Sequence, residues 1–193
     1  MTIDWIALLP AILLLWFPTP IGRRIRWQLH DVRHWFPSNF ANTMSTWINW
    51  VDLLRALVGA WVVMHTAVRP GPQGNGAVVL QGSVLGIGVL MQTVRYWKGV
   101  VFVSPLFFLS GVTLALPGWE MQAFAVFVGW LFGFAAKNAH YVLPAMMAGL
   151  GAGGYLLNGF GLPLFMNIGL IALPLFLSIL FLKVPAHLGA AGR

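Results

Sequence analysis

Asp52 and Arg55 are the residues of this chain best suited to chemistry, because they stand three apart inside the apolar stretch STWINWVDLLRALVGAWVV, residues 45–63. On a helix that spacing puts them on neighbouring turns of one face, where they can pair. A charge in the middle of a membrane span costs about 2.5–3.5 kcal/mol on insertion scales, so such a pair has to face protein or a water-filled cavity. Two roles follow: a clamp between helices, or the constriction of a pathway for a solute or proton. Asn49 precedes the pair on the same face, and Gly59, Val62 and Thr66 continue it.

The surrounding polar residues offer little to extend a pathway. Gln81, Ser83, Gln92, Thr93, Ser110, Thr113, Asn167 and Ser178 fall in apolar stretches and are all uncharged. A relay of titratable groups, which proton-coupled transport requires, is not evident. His65 and His140 are the candidate cofactor ligands, each able to hold a haem or chlorin alone. Their expected positions near opposite surfaces exclude both as axial ligands of one haem. The ten Trp and fourteen Phe keep pigment, quinone or lipid binding open as a further reading. No cofactor is required by the sequence.

His30 and His34 in HDVRH share a helix face at i, i+4 and could ligate one ion with Asp31. No Glu follows the first His as in a zincin helix, and the adjacent arginines repel a cation, so no metal is expected there. Lys137, Asn138 and His140 could act on a lipid headgroup, but nucleophile elbows, carboxylate dyads and phosphate loops are missing. The glycine-rich stretch GLGAGGYLLNGFG, residues 149–161, has no Lys-Ser/Thr ending and reads as close packing or a broken helix. The sequence points away from catalysis.

The elements that would position these residues follow from composition. Of 193 residues, 59% are hydrophobic and only 8% charged, and the mean hydropathy is +0.82; soluble domains carry about 25% charged residues. The expectation is one all-α domain over 1–193, a polytopic transmembrane helix bundle. Apolar stretches at 3–17, 46–68, 77–94, 99–116, 121–136, 141–157 and 160–182 give seven spans, or six if the first, which contains Pro10 and stops at FPTP, does not cross. RPGPQGNG and LPGWE, at 69–76 and 116–120, are turn sequences between spans. The absence of cysteine excludes disulfides and thiol ligands. Met1 to Asp4 lack a basic signal-peptide region, so the N-terminus is expected to be retained.

Charge orients the bundle. If seven helices alternate, nine of the eleven Lys and Arg fall on one side, leaving Arg69 opposite and Arg55 within a span. By the positive-inside rule that side is cytoplasmic, with the N-terminus outside and the C-terminus inside, in what compact loops suggest is a bacterial inner membrane. Residues 21–36, IGRRIRWQLHDVRHWF, repeat Ile21, Ile25, Leu29, Val32 and Phe36 at helical spacing. They predict an amphipathic interfacial helix whose Arg23, Arg24, Arg26 and Arg33 bind lipid headgroups. The net charge of +7 is thereby explained without nucleic acid.

Small residues recur at intervals of four: Gly82 and Gly86, Gly129 and Gly133, then Gly149 and Gly153 after Ala145. Such stripes let helix backbones approach closely. Pro105, Pro144, Pro163 and Pro174 fall in or near spans, where kinks are tolerated. Minimal loops, packing stripes and few reactive groups lead to a non-catalytic membrane subunit, a scaffold or assembly element with other membrane subunits as partners. The alternative is a small channel or transporter lined by Asp52 and Arg55.

Overall fold

The structure is a computed structural model that describes residues 1–17, 40–45, 47–70, 75–96, 100–102, 105–158 and 161–180. The expected interfacial helix at 21–36, with its arginines and with His30 and His34, lies outside those residues.

Within them the chain is mostly helical, as apolar stretches bounded by Gly and Pro require. After strand β1 (Thr2–Ile3), Asp4 caps helix α1 (Trp5–Trp16), its carboxylate accepting from Ile6 N at 3.0 Å and Ala7 N at 3.3 Å. Short α2 (Phe40–Ser45) precedes α3 (Trp47–Val62), which runs into a π turn, Val63–Ala67, and strand β2 (Val68–Arg69). Helix α4 (Gly76–Thr93) is followed by the β3–β4 pair (Val94–Tyr96 and Val100–Phe102). Then come α5 (Leu106–Ala115), α6 (Trp119–Ala135), a 3-10 turn (Ala139–Tyr141), α7 (Val142–Gly153), a second π turn (Gly154–Asn158) and α8 (Leu162–Leu180). Two of these are long and apolar enough to cross a membrane, Trp47–Ala67 and Gly76–Thr93.

Among the described residues, the seven helices of ten or more residues alternate in direction. β1 pairs antiparallel with β2, Thr2 opposite Arg69, which fixes the start of α1 beside the end of α3. Trp16 Nε1 donates to Val84 O at 3.0 Å and Gln92 Nε2 to Leu15 O at 3.2 Å, so α4 ends where α1 ends. Trp50 meets Phe107 at one end of the α3–α5 pair and His65 lies against Ala115 at the other, so these two run parallel. Gly129 and Gly133 of α6 face Val142 at the start of α7, and Gly153 faces Met121, which makes that pair antiparallel. Gly82 and Gly86 of α4 meet Met166 and Leu170 of α8 in order, a parallel pair. The bundle therefore has a β1–β2 end and a β3–β4 end.

Helix α5 is its centre. It touches α3, α4, α6 and α8, and every residue from Leu106 to Ala115 except Leu114 is buried. The expected span at 99–116 is thus divided between β4 and a helix of ten residues, about 15 Å long and half the thickness of a bilayer core. Pro105 stands at the boundary as the N-cap residue, where its missing N–H costs the helix no hydrogen bond. Around α5, α1 lies between α3 and α4, α4 meets α8, α8 meets α7 and α7 meets α6. Trp50 on Trp130, edge-on at 5.7 Å, closes the ring between α3 and α6. Large apolar side chains such as Ile6, Leu54, Val79, Phe127, Phe176 and Ile179 point outwards, whereas Asn49, Asp52, Gln81, Gln92, Gln122 and Asn167 are buried.

Candidate functional site

The sequence-predicted pair forms. Arg55 Nε donates to Asp52 Oδ1 at 2.8 Å, and both side chains are about nine-tenths buried. What the sequence did not disclose is the third partner, the end of α1. The last carbonyls of any helix lack intrahelical donors, and here Arg55 Nη1 donates to Leu14 O at 2.7 Å and also to Phe17 O. Gln92 takes Leu15 O between them. Two helices thus cap a third, and the guanidinium charge faces the negative end of the α1 dipole. The Phe108 ring of central α5 covers the guanidinium, its centroid 5.3 Å from Cζ. Leu15 reaches this position because Gly59 and Gly88 leave room for it; a Cβ at Gly59 would stand 2.9 Å from Leu15 Cγ.

Several other buried polar groups also join helices, whereas Thr93 Oγ1 donates within its own helix to Val89 O at 2.7 Å. Gln81 Nε2 donates to Met64 O at 3.1 Å and Val68 O at 3.0 Å, serving carbonyls that the π turn leaves outside the α-helical ladder. Asn167 of α8 donates to Gln122 Oε1 of α6 at 2.5 Å and accepts from Thr113 Oγ1 of α5 at 3.4 Å, while Gln122 Nε2 reaches Pro117 O at 3.1 Å. Ser110 accepts from Trp130 Nε1 at 3.1 Å and itself donates to Leu106 O at 2.9 Å. Gln122 was not among the polar residues singled out in the sequence. It stands two residues after LPGWE, and only its partner on α8 reveals its role.

No family model, curated protein or solved structure matches this chain.

The structure does not bring the two histidines together. His65 is exposed at the β1–β2 end, its Nε2 3.2 Å from Ala115 O and its ring tilted on Trp61. His140 lies at the other end of α6, in the turn where Asn138 Oδ1 accepts from His140 N at 3.0 Å. Burial lowers its pKa from the ordinary 6.5. Lys137 beside it adopts a left-handed φ of 52°, and its side chain is exposed. Among the described residues, no group of three His, Asp or Glu could hold a metal ion.

The small residues meet other helices to different degrees. A Cβ at Gly133 would stand 2.6 Å from Val142 Cγ2 and 2.9 Å from Phe40 Cδ1, and one at Gly129 would overlap Met146. A Cβ at Gly149, Gly153 or Gly82 would stand 3.1–3.2 Å from Ala125, Met121 or Met166, whereas one at Gly86 would have 3.9 Å to Leu170. The tightest site on α5 is one the periodicity passed over: Gly111, where a Cβ would overlap Leu53 O and stand 3.0 Å from Ala56 Cβ.

Proposed function

We propose that this chain is a non-catalytic integral membrane subunit, a scaffold or assembly element of a larger membrane complex. The observation that carries the reading is the use made of Arg55. Its charge is spent on Asp52 and on the end of α1, holding helices together instead of facing a route through the bundle. Gln81, Gln92, Gln122 and Asn167 likewise bond across elements. An exterior of large apolar side chains around a core containing amides and an ion pair suits a solvent of lipid.

Seven alternating helices support a seven-span arrangement in which α5 crosses together with β4. The positive-inside rule then puts the β3–β4 end, which carries Lys137, on the cytoplasmic side and the start of α1 outside, in a bacterial inner membrane. The second reading is a small channel or transporter lined by Asp52 and Arg55. It draws on Arg55 Nη2, buried with no acceptor among the described residues.

Native mass spectrometry of protein gently extracted from its own membrane, with an absorption spectrum, separates the two. The expected result is a particle containing other membrane chains. A colourless particle of this chain and lipid alone overturns the subunit reading in favour of transport, and a visible chromophore would make His65 and His140 the ligands to test.

A further inference from the structure

Two buried polar atoms near the β3–β4 end make no hydrogen bond among the described residues: Thr43 Oγ1 and Arg55 Nη2. They bracket one stripe. Asn49 Nδ2 donates to Thr43 O at 2.7 Å, and Asn49, Asp52 and Arg55 follow at three-residue spacing along one face of α3. A buried polar group left without a partner is costly, the more so if charged. Thr43 on α2 and Arg55 on α3, at opposite ends of that run, each call for a partner of the same kind.

That partner must be small, because Thr43, Asn49 and Asp52 are already buried. It must also be uncharged. Asp52 neutralises Arg55, and the negative end of the α1 dipole faces the site, so an anion is repelled; a cation would compete with Arg55 for its acceptors. Water satisfies both conditions. It donates and accepts, and a buried water typically makes about three hydrogen bonds. Beyond Arg55 the stripe ends: Ala56, Ala60 and Val63 are fully buried and apolar, and Leu15 packs into Gly59.

We propose that Thr43, Asn49, Asp52 and Arg55 form a blind, water-holding inlet, entered from the β3–β4 end and sealed beyond Arg55. The inlet rests on the membrane placement proposed above and does not require a route across.

The chain contains no cysteine, so single thiols can be placed without background. A thiol reacts as its thiolate, and in dry apolar surroundings it stays protonated and inert. Asn49→Cys and Thr43→Cys would be exposed, in sealed membranes of both orientations, to a charged, membrane-impermeant methanethiosulfonate. Ala136→Cys and Asn75→Cys report the two ends, Ser110→Cys the dry core and Val58→Cys the outward face. The stripe positions should react from the Ala136 side at least about tenfold faster than Ser110→Cys, and not from the Asn75 side. Rates no higher than Ser110→Cys overturn the inlet, and reaction from both sides overturns the seal. Val58→Cys reacting as fast as Asn75→Cys overturns the membrane placement instead, whatever the stripe does. Either stripe variant alone decides the matter if the other fails to accumulate.

Discussion

At the scale of single residues, Arg55 belongs to a different energetic class from a surface ion pair, which contributes about 0–1 kcal/mol. Removing one member of a buried pair leaves the other charged and unpaired, at a cost of about 3–5 kcal/mol. Arg55→Met should approach that figure in detergent unfolding, because it strips Asp52 of its counterion and the end of α1 of its donor. Adding Asp52→Asn to Arg55→Met should recover part of the loss by removing the stranded charge. If the double variant is as unstable as the sum of the single ones, the two side chains are not coupled. His140 gives a pH-dependent counterpart. Burial lowers its folded-state pKa below 6.5, so the unfolded chain binds the proton more readily. Its contribution is complete above about pH 6.5 and is lost as pH falls from there through the folded-state value. Stability measured across that window should fall with acid in the natural chain and fall less in His140→Gln; an unchanged slope would assign the acid sensitivity to other groups.

At the scale of elements, the close approach of α5 to α3 makes a sharper claim than any glycine periodicity. Gly111→Ala would drive a methyl group into Leu53 O, and overpacking of this kind costs about 1–3 kcal/mol. Gly151→Ala meets nothing within 4 Å, so helix propensity should make it neutral or stabilising by up to about 1 kcal/mol. Unfolding the two variants side by side checks this, and equal destabilisation would contradict the packing of α5. The same contrast explains what the sequence could show. Hydropathy and turn residues placed six of the seven apolar stretches within a few residues of a helix, because each is a local signal, but the stretch at 99–116 holds a strand and a helix of only ten residues. Gly111, Gly59 and Gln122 escaped, since each acquires its role only from a helix far away in the chain; Gln122 and Asn167 are 45 residues apart. The pairing of Asp52 with Arg55 was legible from their spacing, but the capping of α1 was not, because it spans 41 residues. The first π turn and the β1–β2 pair were missed for the same reason: Gln81 reaches back to Met64 and Val68, and β1 pairs with a strand more than sixty residues later, not through any residue pattern within a single element.

At the scale of the whole molecule, the deciding property is which way the chain turns its apolar surface. Phe127 stands midway along α6 and is 64% exposed, flanked on the outward face by Phe124 and Leu131. In water such a face would be a liability, and Phe127→Lys would be expected to leave folding intact and improve solubility. In a bilayer the same position lies near the centre of the hydrocarbon, where a lysine costs about 2.5–3.5 kcal/mol on insertion scales. Snorkelling reduces that cost towards the ends of a helix but least at its midpoint. Phe127→Lys should therefore lower the carbonate-resistant, membrane-integrated fraction of the protein, while Ala136→Lys, exposed just beyond the end of α6, should leave it unchanged. The comparison isolates depth from charge, because both variants add the same side chain to one end or the middle of the same helix. If Phe127→Lys is as well integrated as Ala136→Lys, α6 does not cross the membrane. The outward phenylalanines would then have to be covered by something other than lipid.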